Sequence, residues 1–118
     1  MDIEEILKKL NRNKHIKGSL VITQEGMVVM SALGAGQNAD IFAAFYSSVG
    51  LTILKSLKNL DIETFYRYIL SSEDSNLFFV NIGKLYLVVI TDIDVKLSEM
   101  NVELYQIESL IRKTGRLE

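Results

Sequence analysis

Fourteen consecutive residues, Ile41 to Leu54 (IFAAFYSSVGLTIL), carry no charge. Read at helical spacing, Phe42, Tyr46, Val49 and Ile53 fall on one face. Ile41, Ala44, Phe45, Ser48 and Thr52 fall on the neighbouring one. A helix lying on a sheet needs a single apolar stripe. Apolar or small residues most of the way round call for cover on a second side. The chain has 118 residues, enough for one domain with one core. In a domain of that size the usual second cover is another subunit.

The flanking sequence says what the first cover is. Ile16 to Thr23 and Met27 to Leu33 are two β-branched runs around Gln24-Glu25-Gly26, and Gly26 can take the positive φ of a tight turn. They read as an antiparallel hairpin. Downstream, TFYRYIL (64–70), NLFFVNI (76–82) and KLYLVVITDI (84–93) read as three further strands, with turns at Glu73-Asp74-Ser75 and Gly83-Lys84. Leu85 to Ile90 is almost wholly apolar, as in a central strand covered on both faces. Thr64 to Leu70 places Arg67 among aromatics, as in an edge or interface strand, with Tyr66 and Tyr68 on one face and Phe65 on the other.

Two terminal helices complete the pattern. Ile3, Ile6, Leu7 and Leu10 form one stripe, Asp2 and Glu5 have capping-box spacing, and Lys8 and Lys9 suit the C-terminal end. Met100, Leu104, Ile107 and Ile111 repeat at helical spacing, with Thr114-Gly115 as a stop. The long helix runs from about Asn38 to Leu57, capped by Asn38 or Asp40. Proline, repeats and linkers are absent, so residues 1–118 read as a single α+β domain, a five-stranded antiparallel sheet between helices.

Chemistry is largely excluded. Without cysteine there is no disulfide framework, thiolate metal site or thiol nucleophile. A formal charge of −2 gives no general attraction to nucleic acid. The N-terminus is acidic and amphipathic, unlike a signal peptide. No apolar run is read as approaching the roughly 20 residues of a membrane span. The expectation is a soluble cytoplasmic protein, with no nucleic-acid partner and no membrane insertion.

Gly34, Gly36 and Ala39 match the G-x-G-x-x-G/A turn of dinucleotide sites. That turn works between parallel strands, and here the preceding strand is half of a hairpin. It reads as a flexible strand-to-helix connection. His15 reads as a surface histidine, and Asp92 with Asp94 as a solvated strand end. Lys8, Lys9, Arg12, Lys14 and Lys17 form one basic cluster, and Arg112, Lys113 and Arg116 another. The two would merge if the terminal helices shared a face. No catalytic constellation, metal ligand set or cofactor motif emerges.

The stretches IKGSLVITQEGMVVMSAL, ADIFAAFYSSVGLTIL and LFFVNIGKLYLVVITD together resemble the roadblock/dynein light-chain family. The resemblance implies an α-β-α sandwich that homodimerises through its second helix and third strand. It places Ile41, Phe45, Ser48, Val49, Thr52, Phe65, Tyr66, Arg67 and Tyr68 at the subunit interface. It further implies a non-catalytic regulator or scaffold for a Ras-like small GTPase, as in MglB-like members. Gly36, Gln37, Asp40, Ala44 and Ser47 would face that partner. Two other readings stay open on the residues alone. One is a GAF- or PAS-like sensor with a ligand cavity between sheet and helix. The other is an enzyme using the Gly34 loop.

Overall fold

The computed structural model describes residues 2–115. Its elements are α1 (Ile3–Leu10), β1 (Ile16–Thr23), β2 (Val28–Ala32), α2 (Ala39–Lys58), β3 (Arg67–Ser71), β4 (Ser75–Ile82), β5 (Leu85–Asp92) and α3 (Leu97–Gly115). The strands form one sheet in the order β2-β1-β5-β4-β3, and all four pairings are antiparallel. The expected α+β class and element order are those observed. The apolar run of β5 is central, between β1 and β4.

Alternation along β4 and β5 divides the core into two layers. Phe78, Val80, Leu87 and Val89 face α1 and α3 and pack with Leu7, Leu10, Met100, Leu104 and Ile111. Phe79, Tyr86 and Val88 point the other way and pack with Ala43 and Tyr46 of α2. Each large apolar side chain so buried contributes about 1.5–3 kcal/mol. Both layers share one sheet, so neither can form without the other.

Local chemistry sets the element ends. Asp2 caps α1 by accepting from Glu5 N at 2.9 Å. Of the two candidates for α2, Asn38 is the cap, accepting from Ile41 N at 3.1 Å. The β1–β2 turn closes with Gly26 N donating to Thr23 O at 3.1 Å and Thr23 N to Met27 O at 2.8 Å. The stop expected at Thr114-Gly115 coincides with the end of α3 and of the described residues.

Strand β3 begins at Arg67, three residues later than the sequence predicts. Asn81 explains the shift. Its Nδ2 donates to Phe65 O at 3.0 Å and Thr64 Oγ1 at 3.2 Å, so side-chain bonds hold residues 64 and 65, while its backbone N donates to Tyr66 O at 2.8 Å. Alternation therefore fails there. Phe65 and Tyr68 lie on the same α2-facing side, rings 5.8 Å apart, while Tyr66 stands out in solvent. The expected pairing of Tyr66 with Tyr68 against Phe65 is thus corrected.

Candidate functional site

Ala43, Tyr46 and Gly50, spaced i, i+3 and i+7, seat α2 on the sheet. Gly50 allows a close approach, since a Cβ there would meet Phe79 Cζ at 3.2 Å. On the outward side Ile41 is 68% exposed, Phe45 47% and Leu51 53%, alongside exposed Ala44, Ser48 and Thr52. This is the face the sequence set aside for a second cover. Leu51 belongs to it and was missed, although its spacing of seven from Ala44 and three from Ser48 could have shown it. By length and composition alone α2 is apolar enough to cross a membrane, which corrects the expectation that no run approaches that length. Its Ile, Leu, Val, Phe and Ala residues supply that hydropathy, and its inner stripe packs on the sheet.

The two free sheet edges differ. On β2 the register moves from Val21–Met30 to Ile22–Val28, leaving Val29 as a bulge. A bulge blunts an edge against further pairing. On β3 the register runs without interruption from Arg67–Val80 to Ser71–Asn76. Of the interface set, Ile41, Phe45, Ser48 and Thr52 are exposed on α2, with Val49 half-buried beside them. Phe65 and Tyr68 pack under α2 against Phe79, with ring centroids 5.9 and 4.6 Å away. Tyr66 and Arg67 belong instead to the α3 side, where Arg67 Nη1 donates to Asn101 Oδ1 at 2.9 Å.

Aromatic rings fill the space between α2 and the sheet. Tyr46 lies 5.6 Å from Phe79, and Phe79 lies 4.6 Å from Tyr86. These rings occupy the volume a sensor cavity would require. Burial pushes the phenols of Tyr46 and Tyr68 up, with smaller contributions from Tyr68 on Tyr46 and Tyr86 on Tyr68. Neither hydroxyl has a hydrogen-bond partner among the described residues.

The glycine loop is a closed turn. Gly34 N donates to Gln37 Oε1 at 2.7 Å, and Gln37 N donates to Gly34 O at 3.2 Å. An amide needed to cradle a phosphate is therefore already engaged, and the loop follows an antiparallel edge strand. Gly36, Asp40 and Ala44 are exposed along the loop and the start of α2. Gln37 is half-buried. Ser47 is half-buried against the hairpin turn and donates to Ala44 O at 3.1 Å.

The remaining candidates resolve differently from their sequence readings. His15 is half-buried, and its Nδ1 lies 3.0 Å from both carboxylate oxygens of Asp92. The hydrogen bond to His15 is the largest influence holding the Asp92 carboxyl below its ordinary value, aided by the His15 charge and by the backbone N–H groups of Asp94 and Val95. The helices α1 and α3 share one face, and Lys9 lies beside Gln106 and Leu110 of α3, but Lys17 and Arg112 stand far apart. Lys17 Nζ reaches Ser75 Oγ at 3.2 Å, beside the β3–β4 turn. Arg112 sits at Gly83, at the opposite end of β4, and pairs with Glu108. Arg116 lies outside the described residues. Among the described residues no group of three or more acidic or histidine side chains could hold a metal ion.

Comparison with known proteins is consistent with this geometry. A model of the Roadblock/LC7 domain matches residues 2–91. The uncharacterized protein MJ0310 of Methanocaldococcus jannaschii is 28% identical over 95 residues, covering 80% of this chain and 83% of the relative. Myxococcus xanthus MglB superposes with a TM-score of 0.92 at 15% identity, covering 98% of this chain and 96% of that one. A Roadblock/LC7 domain from Streptomyces avermitilis gives 0.86 at 16% identity, covering 96% and 97%. The five-stranded sheet, its helices and the match over most of its length show that this chain belongs to the Roadblock/LC7 domain family.

Proposed function

We propose that this chain is a cytoplasmic homodimeric module that binds and regulates a Ras-like small GTPase without performing chemistry itself. The observation that carries the reading is the uncharged, solvent-facing side of α2 with Ile41, Phe45 and Leu51 on it. Exposed large apolar side chains grouped on one helix face mark an interaction surface. Burying each against a twin helix contributes up to about 1.5–3 kcal/mol. The bulge-free β3 edge supports the same arrangement, because it can continue the sheet into a second copy while the bulged β2 edge resists pairing.

The GTPase partner rests on membership of the family and on the likeness to MglB. In this reading Gly36, Gln37, Asp40, Ala44 and Ser47 face the GTPase at the start of α2. The module acts by binding one arrangement of the partner's mobile loops more tightly than the other, which shifts their populations. Whether the shift favours hydrolysis, exchange or tethering is a property of the complex.

Sedimentation at micromolar concentration tests the dimer. The wild-type chain is expected at twice its 13.4 kDa mass and Phe45→Glu at the monomer mass. A monomeric wild type sinks the self-association. Phosphate release by a Ras-like small GTPase of the same organism, with and without the chain, tests the activity. Absence of both binding and a change of rate would remove the regulatory role and leave only a scaffold.

A further inference from the structure

Arg67 is the only arginine between Arg12 and Arg112. It is half-buried and forms no ion pair among the described residues. One of its nitrogens is engaged by the neutral amide of Asn101, at 2.9 Å. A guanidinium presents five N–H donors in a planar fork suited to oxyanions, so most of that fork is uncommitted.

The surroundings form a hollow of about 580 Å³ lined by Tyr66, Arg67, Tyr105 and Glu108. A smaller adjoining hollow shares Tyr66 and reaches Arg112. Glu108 does not neutralise Arg67, because its Oε1 accepts from Arg112 Nε at 3.3 Å and Nη2 at 3.1 Å. The larger hollow thus holds one guanidinium and one carboxylate, and that carboxylate is engaged by Arg112 of the adjoining hollow. The flanking rings are left in water, Tyr66 78% and Tyr105 66% exposed. Exposed aromatic rings beside an arginine suit a flat ligand whose ring stacks while the arginine holds its anion.

We propose that this groove binds a small molecule that carries an oxyanion on a flat ring, a mononucleotide or an aryl carboxylate. Arg67 takes the oxyanion, and Tyr66 and Tyr105 hold the ring. The site lies on the α3 side of β3, away from the outward face of α2. All four lining residues come from one chain, and the site adjoins the β3 edge that the proposed dimer pairs.

Titration of ¹⁵N-labelled full-length chain with GMP, benzoate and inorganic phosphate tests the proposal. Saturable shifts are expected at the amides of Tyr66, Arg67 and Tyr105 with GMP or benzoate, and comparison of the two identifies the class. Inorganic phosphate, lacking the ring, is expected to bind at least about tenfold more weakly. Arg67→Met and Tyr105→Ala are each expected to weaken binding by about tenfold or more, and Arg67→Lys to restore part of the loss. No saturable shift with GMP or benzoate up to about 10 mM overturns the site. Unchanged affinity in Arg67→Met overturns the role of the arginine, and phosphate binding as tightly as both ring ligands overturns the role of the tyrosines. If Arg67→Met loses its dispersed spectrum, Tyr105→Ala carries the test, and its unchanged affinity overturns the site.

Discussion

Gly26 turns the β1–β2 hairpin at φ +93°, and a Cβ placed there would lie 2.7 Å from Ser47 Oγ. Gly36 has a similar φ of +81° but open space around it. The left-handed conformation alone costs a non-glycine residue about 1–2 kcal/mol. Gly36→Ala is therefore expected to lose about 1 kcal/mol in urea unfolding, and Gly26→Ala more than about 2 kcal/mol because a clash adds to the strain. Equal losses would show that Ser47 yields freely. The turn at Gly26 was legible from Gln24-Glu25-Gly26. Its contact with α2 was not, because Ser47 is twenty-one residues away and nothing local encodes the approach.

Helix α2 is where element-scale reading went furthest. Its length and its outward face follow from spacing, while the choice of Asn38 over Asp40 as its cap does not. Its seat depends on Gly50, whose missing side chain admits the rings of Phe79 and Tyr86. Both rings are buried in the aromatic layer and cannot swing clear. Gly50→Val is expected to destabilise by about 1–3 kcal/mol through overpacking. Gly50→Ala adds about 0.8–1.0 kcal/mol of helix propensity, against which a 3.2 Å contact must be set. A Gly50→Val chain as stable as wild type in urea unfolding would mean that α2 shifts on its bed. Strand β3 was less legible. Its pattern of aromatics suggested alternation through residues 64–70, and the Asn81 side chain ends it at Arg67. That is why Tyr66 and Arg67 line a hollow on the α3 side while Phe65 and Tyr68 pack under α2.

At the scale of the whole molecule, acid stability draws on a contact between His15 and Asp92, seventy-seven residues apart. The Asp92 carboxyl titrates below its ordinary value of 3.8 in the fold. Its contribution is fully present above the unfolded value, about 3.9, and is lost as pH falls through the lower folded value. The stability gap between wild type and His15→Ala is therefore expected to narrow as pH falls below about 4. A gap that stays constant from about pH 6 down to about pH 2 would show that His15 acts only by packing.

What the sequence by itself determined was the set of elements, their order, the inward stripes of α1 and α3 and the outward face of α2, whereas the seat of α2 moved from Phe42, Tyr46, Val49 and Ile53 to Ala43, Tyr46 and Gly50. Each feature so determined depends on the identities of residues within a few turns or strand steps, where periodicity of 3.6 or 2 acts directly. Tertiary structure decided the strand order, the bulge on one edge, the His15–Asp92 pair and the division of the β3 aromatics between two sides. It also set Lys17 and Arg112 apart, because Lys17 lies at the β3–β4 turn and Arg112 at Gly83, the opposite end of β4. These depend on contacts between residues distant in the chain, which hydrogen-bond registry and core packing select together and no local pattern records.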